Sequence, residues 1–83
     1  MKLREFKTKY ISLIYNNAKN DREKELASML IVKLHNLRCY TLSDLAFTLY
    51  LIVDKESSVS DAFKEVCRKA LSDIINIECE AGD

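Results

Sequence analysis

"SSVSDAFKEVCRKALSDII", residues 57–75, carries the most regular pattern in the chain. Val59, Ala62, Phe63, Val66, Cys67, Ala70, Leu71, Ile74 and Ile75 recur at the three- and four-residue spacing that aligns one face of an α-helix. Lys64, Glu65, Arg68, Lys69 and Asp73 fill the opposite face. Ser58, with Asp61 at the third following position, offers a cap for the first turn. A helix is expected over 59–77, its stripe turned to a core that includes Cys67.

Immediately upstream, "YTLSDLAFTLYLIV", residues 40–53, is apolar almost all round. Thr41, followed by Asp44, reads as the N-cap of a helix over 42–53. Leu42, Leu45, Ala46, Leu49, Ile52 and Val53 share one side, while Phe47, Tyr50 and Leu51 lie on the other. Such a helix needs burial on two sides. Three neighbours in a chain of 83 residues leave part of it uncovered, so Phe47, Tyr50 and Leu51 are the expected self-interface of a homodimer.

Before it, Asn20 and Glu23 have the layout of a capping box, opening a helix over 21–37. Leu26, Ala27, Leu30, Leu34 and Leu37 form its inner face, and Met29, Ile31 and Val32 widen that face, which predicts a central position. The first helix, over 3–18, aligns Leu3, Phe6, Tyr10, Leu13 and Ile14. The fold class is therefore all-α: one helical domain over 1–83, a bundle of about four helices completed by dimerisation. An acidic tail over 78–83 is expected to fray.

Composition agrees. Proline is absent, Gly82 is the only glycine, and 48% apolar with 31% charged residues suits a folded helical chain. A domain of this size buries only roughly 60–65% of its unfolded surface, which makes association a common way to gain core. The longest apolar runs, 29–32 and 49–53, fall far short of the roughly 20 residues that span a membrane. "MKLREFKTKY" lacks the apolar centre of a signal peptide. Cys39, Cys67 and Cys79 are odd in number and share no CxxC spacing, which points to a reducing, cytoplasmic setting.

Formal charge is zero but uneven. Residues 1–38 hold nine Lys/Arg against four acids, and residues 39–83 hold four against nine. Basic and acidic helices packed side by side account for this most simply. The sharper alternative is a basic first helix, with Lys2, Arg4, Lys7 and Lys9 meeting nucleic acid or a protein partner, and Tyr40 contributing at the second loop.

Parts for catalysis are scarce. No glycine-rich loop can cradle a phosphate, and His35 is the only histidine. His35 and Cys39, four apart, could begin a zinc site with Cys67 and Cys79. The simpler reading makes Cys67 a buried apolar residue and the other two surface residues. Cys39 or Cys79 as a redox switch or intersubunit disulfide is a further alternative, with Arg38 favouring a thiolate. The expectation is no catalytic residue, no metal and no cofactor.

The order of elements, "REKELASML", "YTLSDLAFTLYLIV" and "SDAFKEVCRKALSDII", resembles the small enterobacterial YmgB/AriR family, whose relatives include YcgZ and YmgA. The likeness covers roughly residues 23–78. It is carried by Thr41–Leu42, by Leu49, Leu51 and Ile52, by Glu56, and by Val66, Arg68, Lys69 and Leu71. It departs at "LRCYT", where the family has a small glycine-containing turn. The resemblance implies a compact helical connector between signalling systems, concerned with biofilm control and acid or stress response. The expected function is thus non-enzymatic regulation through protein–protein contact. Two alternatives stand beside it: a DNA-binding transcriptional modulator, and a bacteriocin or toxin immunity protein of bundle type.

Overall fold

The computed structural model describes residues 1–79. They form α1 (Leu3–Asn17), α2 (Asp21–His35), α3 (Leu42–Lys55) and α4 (Asp61–Ile74), with a 3-10 turn at Cys39–Thr41 leading into α3. The chain is all-α. Its one β feature among the described residues is an isolated bridge between Lys2 and Glu78.

The caps explain where the helices start. Asn20 caps α2 as expected: its side chain accepts from the Glu23 N–H at 2.8 Å, and Glu23 Oε1 accepts from the Asn20 N–H at 3.1 Å. Two other expectations are corrected. Thr41 makes no cap bond to α3, because its hydroxyl is spent on the preceding turn, accepting from the Arg38 N–H and donating to the Arg38 carbonyl, both at 3.0 Å. At α4 the cap is Ser60 rather than Ser58, with Ser60 Oγ accepting from the Phe63 N–H at 3.2 Å. That choice leaves Val59 free to turn into the core.

The ends shift accordingly. α2 stops at His35, and Leu37 then folds back as a buried residue of the connection. α3 continues to Lys55, beyond the expected end at 53, whereas α4 ends at Ile74 rather than 77. The expected frayed tail is tied at its first two residues: the Glu78 N–H donates to the Met1 carbonyl at 2.9 Å, and Cys79 is bonded to Cys39. Residues 80–83 of that tail lie outside the described residues.

One core draws on all four helices. α4 is its hub, packing on both α1 and α3 and burying Phe63, Val66, Cys67 and Ala70. α1 contributes Leu3, Phe6, Tyr10 and Ile14, with the Phe6 and Tyr10 rings 4.8 Å apart at their centroids. α2 is not central. It packs on α1 and only lightly on α3, so Met29 and Val32, assigned to a widened inner face, are exposed. Across the bundle the helices neighbour one another in the order α2, α1, α4, α3, which leaves the α2–α3 side loosely closed.

The uneven charge has a packing role. Lys9 pairs with Asp73 at 3.0 Å, Arg22 with Glu56, and Lys33 with Asp44 at 2.8 Å. Each of these contacts joins a base from the first half to an acid from the second.

Among the described residues, one carboxylate lies inside. Glu23 is 1% exposed, and it accepts from the N–H groups of Lys19 at 2.9 Å, Asn20 at 3.1 Å and Ser60 at 2.7 Å. Burial alone would raise its pKa. The backbone donors, with help from the Ser60 side chain, outweigh burial and hold it at about 2. The residue therefore fastens the start of α2 to the start of α4.

Candidate functional site

The loosely closed side of the bundle is a groove. α2 and α3 run antiparallel along it, with Arg22 beside Glu56 at one end and Lys33 beside Asp44 at the other. Arg22 grips both oxygens of Glu56 and also reaches Glu25 at 3.0 Å. Hydrogen bonds from Arg22 hold the Glu56 carboxyl below its ordinary range. Between these clasps lies a depression of about 740 Å³ floored by Leu26, Met29, Leu51 and Ile52. A smaller one of about 200 Å³, lined in part by Val32, Leu37 and Leu45, continues the line towards the second loop.

Leu51, expected in a self-interface, sits in this groove at 37% exposure. Phe47 and Tyr50 occupy the adjoining outer face of α3 at 62% and 54%. Met29, at 40%, lines the groove from α2. Sequence patterning missed Met29 and Val32 as surface residues, because the apolar stripe of α2 is wider than the face its neighbours cover. Other large apolar side chains are exposed away from this side: Tyr15 on α1, Tyr40 in the second loop and Ile75 after α4.

The basic residues divide. Lys2, Arg4 and Lys7 line a second depression, of about 660 Å³, between α1 and the end of α2. His35 and Arg38, not foreseen there, also line it, and among the described residues Glu5 and Glu78 are the acids on its walls. Arg4 and Lys7 have no ion-pair partner among the described residues. Lys9 is turned elsewhere: it reaches Asp73 and lies 5.2 Å from the Tyr10 ring centre. Helical spacing explains this, since Lys9 precedes buried Tyr10 and faces α4. Tyr40 projects into solvent beside Cys39, apart from both depressions.

The cysteines differ from the expectation of two unconnected surface thiols. Cys39 and Cys79 are joined in a disulfide, with Cα atoms 6.0 Å apart. Cys67 is a free thiol buried in the core, and burial pushes its pKa up to about 12. The zinc set of His35 with the three cysteines is therefore not brought together, and among the described residues no group of three His, Cys, Asp or Glu is placed to hold a metal. No helix among those residues is long and apolar enough to cross a membrane. Compared with known proteins, the chain matches no family model, and neither a curated protein nor a solved structure aligns with it significantly.

Proposed function

We propose that the protein is a small, non-enzymatic regulatory protein that works by helix-on-helix docking, and that the first occupant of its α3 face is a second copy of the chain. The observation that carries this reading is the exposure of Phe47 and Tyr50 on the outer face of α3, next to Leu51 and Met29 in the open α2–α3 groove. α3 has Asp44 in its first turn and Lys55 in its last. An antiparallel copy thus brings unlike ends together, sets Phe47 against the partner's Leu51 and puts Tyr50 near the two-fold axis. Zero formal charge leaves no long-range repulsion between copies.

The resemblance to the YmgB/AriR family supports a cytoplasmic connector in stress response and biofilm control as the setting. There the output is the state of another signalling protein. Light scattering on the purified chain tests the docking. A dimer at micromolar concentration that becomes a monomer with Phe47→Asp, at unchanged helix content, is expected. A wild-type protein that stays monomeric throughout contradicts it.

A second reading has its own observation, the convergence of Arg4, Lys7, His35 and Arg38 on one cleft. It makes the α1–α2 end a contact for nucleic-acid phosphates. Retention on immobilised DNA should then fall steeply with salt and be weakened by paired Arg4→Gln and Lys7→Gln changes. Salt-insensitive or absent retention contradicts it.

A further inference from the structure

The Cys39–Cys79 disulfide closes one end of the molecule. Cys39 opens the turn between α2 and α3, and Cys79 follows α4, so the bond joins points 40 residues apart. Cys39 is half-buried and Cys79 exposed, so a soluble thiol can reach the bond. Cys67 cannot compete for exchange, because it is buried among α4's core residues and held as the thiol.

The neighbours of the two cysteines give the bond a consequence. Arg38 precedes Cys39 and Glu78 precedes Cys79, and both line the basic cleft. Besides the disulfide, the segment after α4 is held to the rest of the bundle by backbone contacts with the N-terminus. The Glu78 N–H donates to the Met1 carbonyl, and the Met1 amine donates to the Asn76 carbonyl, each at 2.9 Å. Ile77 packs only partly against the core. The bond and these N-terminal contacts together hold Glu78, an acid, at the wall of a cleft whose other charges among the described residues are mostly positive.

We propose that Cys39–Cys79 is a reversible redox clasp that sets the charge and openness of the basic cleft. Closed, it keeps Glu78 beside the cleft cations. Open, it releases residues 75–79 and leaves Arg4, Lys7, His35 and Arg38 to an anionic ligand, while the four helices persist. The reductant is a low-molecular-weight thiol. Its thiolate attacks the exposed Cys79 sulfur, forming a mixed disulfide and expelling Cys39 as a thiolate, which then takes up a proton. A second thiol molecule attacks the mixed disulfide, giving the small-molecule disulfide and the Cys79 thiol. Two electrons and two protons are transferred in all, and exchange with the small disulfide reverses the step. The proposal rests on the cytoplasmic setting given above, where a thiol pool makes such a bond conditional.

The test uses the full chain in glutathione buffers of graded ratio and so does not depend on where the protein resides, which cell fractionation decides separately. Alkylation with mass readout should show Cys39 and Cys79 converting together and Cys67 protected throughout. Circular dichroism should remain helical, and hydrogen exchange should rise at least tenfold at residues 75–79 on reduction. Heparin, as the polyanion probe, should bind the reduced protein and Cys79→Ser several-fold more tightly than the oxidised protein. Oxidised Glu78→Gln should recover part of that gain. Loss of helix on reduction, unchanged exchange at residues 75–79, or equal heparin affinity in both states would each overturn the proposal.

Discussion

At the scale of single residues, Glu23 is the clearest case of chemistry dictating position. A carboxylate leaves water only when donors replace it, and three backbone N–H groups do so here. Its folded pKa of about 2 lies below its unfolded value, so its contribution to stability is full above about pH 4.5 and is lost as pH falls towards 2. That contribution is about 3 kcal/mol by linkage. Glu23→Gln should lower stability at pH 7 by roughly 2–3 kcal/mol, with a much smaller difference near pH 2, as urea titration at both values would show. Equal destabilisation at both would detach the effect from the carboxylate. The Asn20–Glu23 box was legible because it is local. The contact of Glu23 with Ser60, 37 residues away, was not.

Tyr10 belongs to the same scale. Its hydroxyl donates to Asp73 at 2.5 Å, and burial, then the Asp73 contact, raises its pKa. The Tyr10 and Lys9 hydrogen bonds hold Asp73 below the ordinary carboxylate range. Tyr10→Phe should therefore destabilise the protein by about 1 kcal/mol and let the Asp73 pKa move up, measurable by carboxylate NMR titration. An unmoved Asp73 titration would show that the contact has no influence on it.

At the scale of elements, α3 and α4 divide the work differently although both are apolar. α4 places Phe63, Val66, Cys67 and Ala70 inside as its stripe predicts, but Ala62 is exposed, and Ile75, expected on the same stripe, lies past the helix end at 84% exposure. The stripe of α3 was equally visible, but spacing alone does not say which apolar residues a neighbour covers. Leu45, Leu49 and Ile52 are buried, while Phe47 and Tyr50 stay outside. Two phenylalanine substitutions separate the roles. Phe63→Ala should destabilise by roughly 3–5 kcal/mol through the cavity it leaves. Phe47→Ala should change monomer stability by less than roughly 0.5 kcal/mol. Denaturation of both at high dilution is the check, and comparable losses would mean that α3's outer face is part of the core. Boundaries were less legible than the stripes, since Ser58 and Ser60 offer the same hydroxyl and only the depth of Val59 decides between them.

At the scale of the whole molecule, the four-helix class followed from periodicity and from the lack of turn-forming residues, but the neighbour order did not. α2 carries apolar residues beyond those its neighbours cover, which made an edge helix look central. The disulfide was also out of reach, because pairing across 40 residues is a property of the assembled bundle. In the chain-entropy account, closing a loop of that length stabilises by about 4 kcal/mol. Reduction should then lower Tm by upwards of roughly 10 °C while leaving the chain folded at 25 °C. An unchanged Tm would show that the N-terminal contacts alone hold the segment.

Docking needs the uncovered side of the bundle, and an NMR dilution series on the isotopically labelled chain reports on that side residue by residue. As concentration rises, the resonances of Met29, Phe47, Tyr50 and Leu51 should shift together along one binding curve, while those of Arg4, Lys7 and Thr8 in the α1–α2 cleft stay in place. Shifts absent from α3, or centred on α1, would contradict the account.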